Sequence, residues 1–246
     1  MPRFYNYKGE TFDTRLYKEA CELGGLPSVS EICGMLKYVP EFAEELAEKG
    51  KNIHELIENI DNGITTHPRI DSKISNRIVS DYGVFIDGLH HEGWEDWKSE
   101  TVVFNSALGY AGRADRIMRR AHKYVVIDWK TRTVNGKPKW EQVFCPQLAA
   151  YGEALTKDPY QCISVIVDRN TGQFHVKKWE WEDVHLDWKS FQCCHFLYCR
   201  MKKYDITRAL RIFNHLRETN APIELPPSAI DVEGTSHIPN KEDLPK

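Results

Sequence analysis

Apolar and polar positions change rhythm near Trp97. Up to about residue 90 the apolar residues recur with a helical period. From Asn52 to Ile60, Ile53, Leu56, Ile57 and Ile60 share one side of a predicted helix, and Ser72 to His91 continues the pattern. Leu26-Pro27-Ser28-Val29-Ser30 breaks the rhythm with a capping serine, and Glu31 begins an amphipathic stretch. Pro40 interrupts that stretch, and Glu41 to Lys49 resumes it. Beyond Trp97 the pattern predicts strands at Glu100–Phe104, Gly109–Met118 and Lys123–Thr131. A loop at Val134–Lys137 leads to a helix over Glu141–Leu155. Cys162–Val167 reads as a buried strand, and Thr171-Gly172 turns into another at Phe174–Lys177. Helices over Asp183–Tyr204 and Ile206–Arg217 follow. The tail from Asn220 holds five of the twelve prolines and reads as irregular.

Helices, three consecutive strands, a helix, two strands and helices make an α/β fold with a mixed sheet. The expected organisation is a helical region over 1–95, a core over 96–219 and an irregular tail over 220–246. At 246 residues, with 41% apolar and 28% charged positions, the chain can bury one sizeable core. No apolar run is long enough to span a membrane, and the first residues show neither a signal-peptide nor a transit-peptide pattern, so a cytoplasmic protein is expected. Seven cysteines without framework spacing point to reduced thiols. The net charge of −3 does not suggest a nucleic-acid binder, but its distribution changes that picture. Between Arg116 and Trp140 there are eight basic residues against one acid, Asp128, while Glu41 to Asp61 is strongly acidic. A basic hairpin surface without a partner would give the same count.

The chemistry concentrates in Tyr124-Val125-Val126-Ile127-Asp128-Trp129-Lys130-Thr131. Side chains alternate along a strand, so Asp128 and Lys130 point the same way. Asp115 closes the short stretch Gly112-Arg113-Ala114-Asp115 just upstream. Two carboxylates and an ammonium at the end of a hairpin can hold a divalent metal and position a water, the chemistry of phosphodiester cleavage. An Asp-x-Lys pair is also what a solvated strand edge looks like, but the apolar run before it marks this strand as buried.

In order, His54, Glu100, Asp115, Asp128, Lys130, Gln147 and Tyr151 form a pattern that resembles the RecB-like branch of the PD-(D/E)xK nuclease superfamily. Gly109 to Ile117 is similar to that branch's GxxD strand, and Val125 to Thr131 to its DxK strand. Gln147-Leu148-Ala149-Ala150-Tyr151 is similar to its QxxxY helix, and Gly50-Lys51-Asn52-Ile53-His54 to its helical histidine. Leu26 to Ser30 also resembles the start of phage exonucleases and of the mitochondrial genome maintenance exonuclease. The resemblance spans about residues 26–200. It implies a restriction-endonuclease-like core whose cleft is covered by the N-terminal helices. It further implies a catalytic set of Asp115, Asp128, Lys130, Gln147 and Tyr151. The implied metal ligands are His54, Asp115, Asp128 and the Trp129 carbonyl, with Glu100 a further candidate. The cofactor would be Mg²⁺ or Mn²⁺, a histidine ligand favouring the latter.

The expected activity is a DNA exonuclease preferring single-stranded ends, in replication, recombination or repair, of a phage or bacterial kind. A flap or structure-specific endonuclease and a non-catalytic DNA-binding module are the alternatives. DNA contacts are expected from Arg113, Arg116, Arg132, Lys137, Lys139 and Tyr110. Tyr110, Trp129 and Trp140 are candidates for stacking bases or for packing in the core. Some RecB-like nucleases carry an iron–sulfur cluster. Here Cys193 and Cys194 are adjacent, Cys199 follows on the same predicted helix, and no cluster is expected. No Walker A sequence is present, so no ATP motor is expected. Oligomeric state is left open, with the monomer favoured.

Overall fold

A computed structural model describes residues 2–36, 43–64, 68–141 and 144–219. The expected break at Pro40 and the tail over 220–246 lie outside them. The chain begins with β1 (Arg3–Tyr5), β2 (Thr11–Asp13), α1 (Tyr17–Glu22), β3 (Leu26–Pro27) and α2 (Val29–Cys33). Then come α3 (Ala43–Asp61), α4 (Ser72–His91), β4 (Glu95–Asn105), β5 (Tyr110–Arg120) and β6 (Lys123–Arg132). The chain continues as α5 (Phe144–Leu155), β7 (Tyr160–Asp168), β8 (Phe174–Lys178), α6 (Trp181–Met201) and α7 (Ile206–Thr219). The fold is mixed α/β, as the pattern of elements predicts.

The main sheet runs β4-β5-β6-β7-β8. β4, β5 and β6 are antiparallel neighbours, β6 and β7 are parallel, and β8 returns antiparallel. A parallel pair needs a crossover, and α5 supplies it. β6 and β7 lie between two helical layers, which is why both read as nearly continuous apolar runs. Val126 and Ile166 pack with Phe144, Leu148 and Phe191 of α5 and α6. Val125, Ile127, Trp129, Val165 and Val167 pack on the other side with Ile53, Leu56, Ile57, Ile78 and Ile86 of α3 and α4. The alternation along β6 therefore sends Asp128 and Lys130 towards α5.

Residues 3–27 depart in part from the helical expectation. Arg3–Tyr5 pairs with Thr11–Asp13 and with Leu26–Pro27 in a small antiparallel sheet. Two- and three-residue strands leave no measurable period-2 signal. They are held by burial of Phe4, Tyr5 and Leu26 against Tyr204 and Phe213. The expected serine cap is present: Ser28 Oγ accepts the Glu31 N–H at 3.1 Å and starts α2. Among the described residues, no helix is long and apolar enough to cross a membrane.

Candidate active site

β5 and β6 pair regularly from Arg120–Lys123 to Arg116–Ile127, and their ladder stops there. The next residues outward, Asp115 and Asp128, sit where the two strands part. On the other side of β5, the β4 ladder has matched pairs at Ser99–Arg116 and Thr101–Ala114, but Glu100 and Asp115 between them are unpaired. Glu100 takes a left-handed φ of 46°, a conformation costly for a residue with a Cβ. The irregularity re-phases β5. Gly112 and Ala114 lie against α2 and α5, whereas Arg116 and Met118 face α3 and α4. Asp115 stands at the switch.

Asp115 Oδ2 accepts the Trp129 backbone N–H at 2.7 Å, which ties the two strands together where their ladder ends. Asp128 is almost completely buried at 1% exposure. Lys130 Nζ lies 2.6 Å from its Oδ2, as expected for residues two apart on one strand. That ammonium is the one partner Oδ2 has among the described residues. Gln147 Nε2 donates to Asp128 Oδ1 at 3.2 Å and to the Tyr151 hydroxyl at 2.8 Å. Gln147 and Tyr151 are one turn apart on α5, so a single helix face delivers both. Tyr151 fits because Gly112 has no side chain: a Cβ there would lie 2.4 Å from the tyrosine ring and 2.9 Å from Val29.

The electrostatics follow from this crowding. Burial, and next the Asp128 charge, push Asp115 well above the usual carboxylate range, with Lys130 opposing. Burial, then the Glu58 carboxylate, raise Glu100 to about 7. His54, on α3, is lowered to about 4 by burial and then by Lys130, so it is neutral near neutral pH, the form that ligates metals. Its dependence on Lys130, Asp128 and Arg132 places it near the end of β6. α3 passes over the parted strands. Gly50 faces the Thr131 side chain, and Asp61 at the far end receives hydrogen bonds from Ser99 and Arg116.

Among the described residues, no group of three or more His, Cys, Asp or Glu side chains is arranged to hold a metal ion. The expected side-chain ligands His54, Asp115 and Asp128, with Glu100 as a further candidate, are not gathered into such a group. What is present is two hard carboxylates that repel each other, with one oxygen held by the Lys130 ammonium alone. That donor set fits a small divalent cation, which is commonly bound through one or two carboxylates while substrate phosphate and water fill its other positions.

Two of the expected DNA contacts are corrected. Tyr110 is fully buried, its hydroxyl donating to the Ala150 carbonyl at 2.9 Å, so it has no face to offer a base. Arg116 is 5% exposed and is clamped by Asp61, Asp96 and the Tyr82 hydroxyl, so its charge is neutralised inside the protein. The Trp129 indole packs against Tyr82, Phe85 and Phe174 and cannot stack a base. Trp140 is partly buried against the α5/α6 core. Arg113 stays exposed, 3.8 Å from Glu100, and Lys137 and Lys139 are exposed. Arg132 donates to Glu141 at 2.7 Å and keeps about a third of its surface. The Arg116 clamp has no signal in the sequence, because its partners lie 20, 34 and 55 positions away.

The family model described as PD-(D/E)XK nuclease superfamily matches residues 41–180. Among solved structures, a Eubacterium rectale protein described as a candidate exonuclease is 12% identical, with 86% of this chain and 88% of that chain covered and a TM-score of 0.43. The protein SSO0001 is 14% identical, with 69% and 83% covered and a TM-score of 0.27. No curated protein matches the chain significantly.

Proposed function

The chain belongs to the PD-(D/E)XK nuclease superfamily, whose members generally use divalent metal ions; from that we propose that it is a metal-dependent DNA exonuclease of the RecB-like type, preferring single-stranded ends. The observation that supports this reading best is the meeting of Asp115, Asp128 and Lys130 where β5 and β6 part. Mg²⁺ or Mn²⁺ bound by Asp115 and Asp128, with the Trp129 carbonyl, would supply Lewis-acid charge to the scissile phosphate and its leaving oxygen.

The remaining roles belong to the chain's own groups. Lys130 has the reach to hold the attacking water and to offset negative charge gathering on the phosphate oxygens. Gln147 holds Asp128 by one oxygen, leaving Oδ2 turned towards Lys130. Tyr151 fixes the Gln147 amide and is itself held against Gly112. His54 and Glu100 stand beside the acids as positioning or ligand residues. Arg113, Arg132, Lys137 and Lys139 supply positive charge for the phosphodiester backbone. Within the expected cover over 1–95, α3 is the part assigned to the cleft, while α4 packs on the sheet of the nuclease core over 96–219.

The test uses end-labelled linear and circular oligonucleotides, single- and double-stranded, with Mg²⁺, Mn²⁺ or EDTA. The expected result is stepwise loss of nucleotides from linear single strands, abolished by EDTA. Cutting of the circle would assign an endonuclease instead, and no cleavage with either metal would remove the nuclease assignment.

A further inference from the structure

A cavity of about 320 Å³ opens between α3, the start of α4 and the turn that joins β7 to β8. It shares α3 and the outer end of β6 with the candidate active site, without using any residue of that site. Asn52 and Ile53 in its wall immediately precede His54 on α3. Arg169 in the opposite wall donates its backbone N–H to the Arg132 carbonyl at 2.8 Å, two residues beyond Lys130.

The lining divides by chemistry. Ile53, Ile70 and Ile74 give an apolar wall. Arg69 and Arg169 bring two guanidinium groups from segments a hundred positions apart. Asn52 and Asn170 add amides that can donate and accept. The one carboxylate among the described lining residues, Asp71, is engaged in capping α4, its Oδ1 accepting the N–H groups of Lys73 and Ile74 at 2.9 and 3.3 Å. Asp168, next to Arg169, is likewise engaged by the N–H groups of Val134 and Asn170 and by the Thr171 hydroxyl. Arg169 Nε is buried without a hydrogen-bond partner. Burial, and then the like charge of Arg132, lower the Arg169 pKa, with the neighbouring Asp168 carboxylate opposing them. The cavity thus combines two guanidinium groups against one helix-capping carboxylate, an apolar wall and two amides in a volume at the small end of ligand pockets. Inorganic phosphate would use the charge and leave the isoleucines idle. An apolar ligand would do the reverse.

We propose that this cavity binds one nucleoside monophosphate, its phosphate held by Arg69 and Arg169 and its base laid against Ile53, Ile70 and Ile74, and that in turnover this is the terminal nucleotide of the strand being cut. The second half rests on the exonuclease reading, while the first does not. Arginine forks suit a terminal phosphate, which offers more oxygens and more charge than an internal diester. A pocket for one nucleotide, reached along α3 from His54, would favour ends over internal positions.

The experiment is calorimetric titration of the whole protein in EDTA, so that no cleavage is needed, with dAMP, deoxyadenosine and inorganic phosphate. dAMP is expected to bind one per chain, with each fragment at least about tenfold weaker. Arg69→Ala and Arg169→Ala are each expected to weaken dAMP about tenfold or more, as for loss of a charge-assisted hydrogen bond. Arg69 is exposed, so its variant remains informative if the Arg169 variant folds poorly by circular dichroism. Competition separates the sources of nucleotide. A linear single strand that displaces dAMP where a circular one does not identifies a strand end, and displacement by neither identifies a free mononucleotide as the ligand. Equal displacement by linear and circular strands overturns the terminal assignment. No dAMP binding, equal binding of inorganic phosphate, or unchanged affinity in both variants overturns the site. Failure of the exonuclease reading registers separately, as absence of cleavage with metal present, and leaves this titration untouched.

Discussion

Substituting Asp128 removes a metal ligand, whereas substituting Lys130 removes a charge that acts on the reacting water and phosphate. Asp128→Ala is therefore expected to lose cleavage and weaken divalent-metal binding together. Lys130→Met is expected to lose cleavage by about a hundredfold or more while largely sparing the metal, as for an electrostatic contact made mainly in the transition state. Single-turnover cleavage and metal calorimetry on the same preparations separate the two, and retained cleavage in either variant would remove its assigned role. The placement of Asp128 and Lys130 was legible in the sequence because strand alternation has a period of two and no local choice alters it. Asp115 was not legible in that way. Alternation alone gives no reason for β5 to change phase at Asp115, and the left-handed Glu100 opposite it leaves no mark in residue type. Its assignment came from its place at the end of the predicted hairpin, reinforced by resemblance. Tyr110 and Arg116 were misjudged because an aromatic or a cation on a strand reads the same whether it meets solvent or a second helical layer.

Elements meet through a few tight contacts, and two of these carry predictions. α5 packs against β5 where Gly112 lets the Tyr151 ring approach, so Gly112→Ala must displace that ring and, with it, the Gln147 amide on Asp128. A loss of about 1–3 kcal/mol of stability is expected from such overpacking, together with reduced cleavage. Urea unfolding and cleavage assays of one preparation check both, and unchanged values in each would show that the helix yields easily. α6 carries the other case. Burial holds His195 below the ordinary histidine value, with its ring against Tyr110 and Phe191. The unfolded chain therefore binds the proton more readily, and the stability that neutral His195 contributes is present above the ordinary value of 6.5 and is lost as pH falls below it. Urea midpoints measured between pH 7.5 and 5 should fall less steeply in His195→Phe than in the parent. The long helices and the buried strands announce themselves through periodicity. The three strands of the small N-terminal sheet do not, because stretches of two or three residues complete no repeat and are specified by distant partners such as Tyr204 and Phe213.

Across the molecule, the sheet has α5 and α6 on one side and α3 and α4 on the other, and the candidate site lies where the strands part between these layers. Arg116 binds the α3/α4 layer to the sheet through Asp61, Tyr82 and Asp96. Arg116→Met leaves the Asp61 carboxylate, 3% exposed, without its cation and is expected to cost about 3–5 kcal/mol. Adding Asp61→Asn should restore part of the loss, and a double-mutant cycle by chemical denaturation measures the coupling. The same reasoning applied to the acids gives the opposite sign. Asp128 is buried and Asp115 partly so, and their charges repel, a cost that persists in the absence of a cation because the arrangement serves binding rather than folding. In EDTA, Asp115→Asn is therefore expected to match or exceed the parent in stability, by on the order of 1 kcal/mol. Saturating Mg²⁺ or Mn²⁺ should then reverse the order. At a hundred times its dissociation constant a ligand stabilises by about 2.7 kcal/mol. For a chain of this size that is a rise of roughly 5–10 °C in melting temperature, which the variant should largely lack. Thermal unfolding of both proteins with and without metal tests this inversion. A variant less stable in EDTA, or one that gains as much from metal as the parent, would mean that Asp115 is held in place by the fold and not kept for a cation.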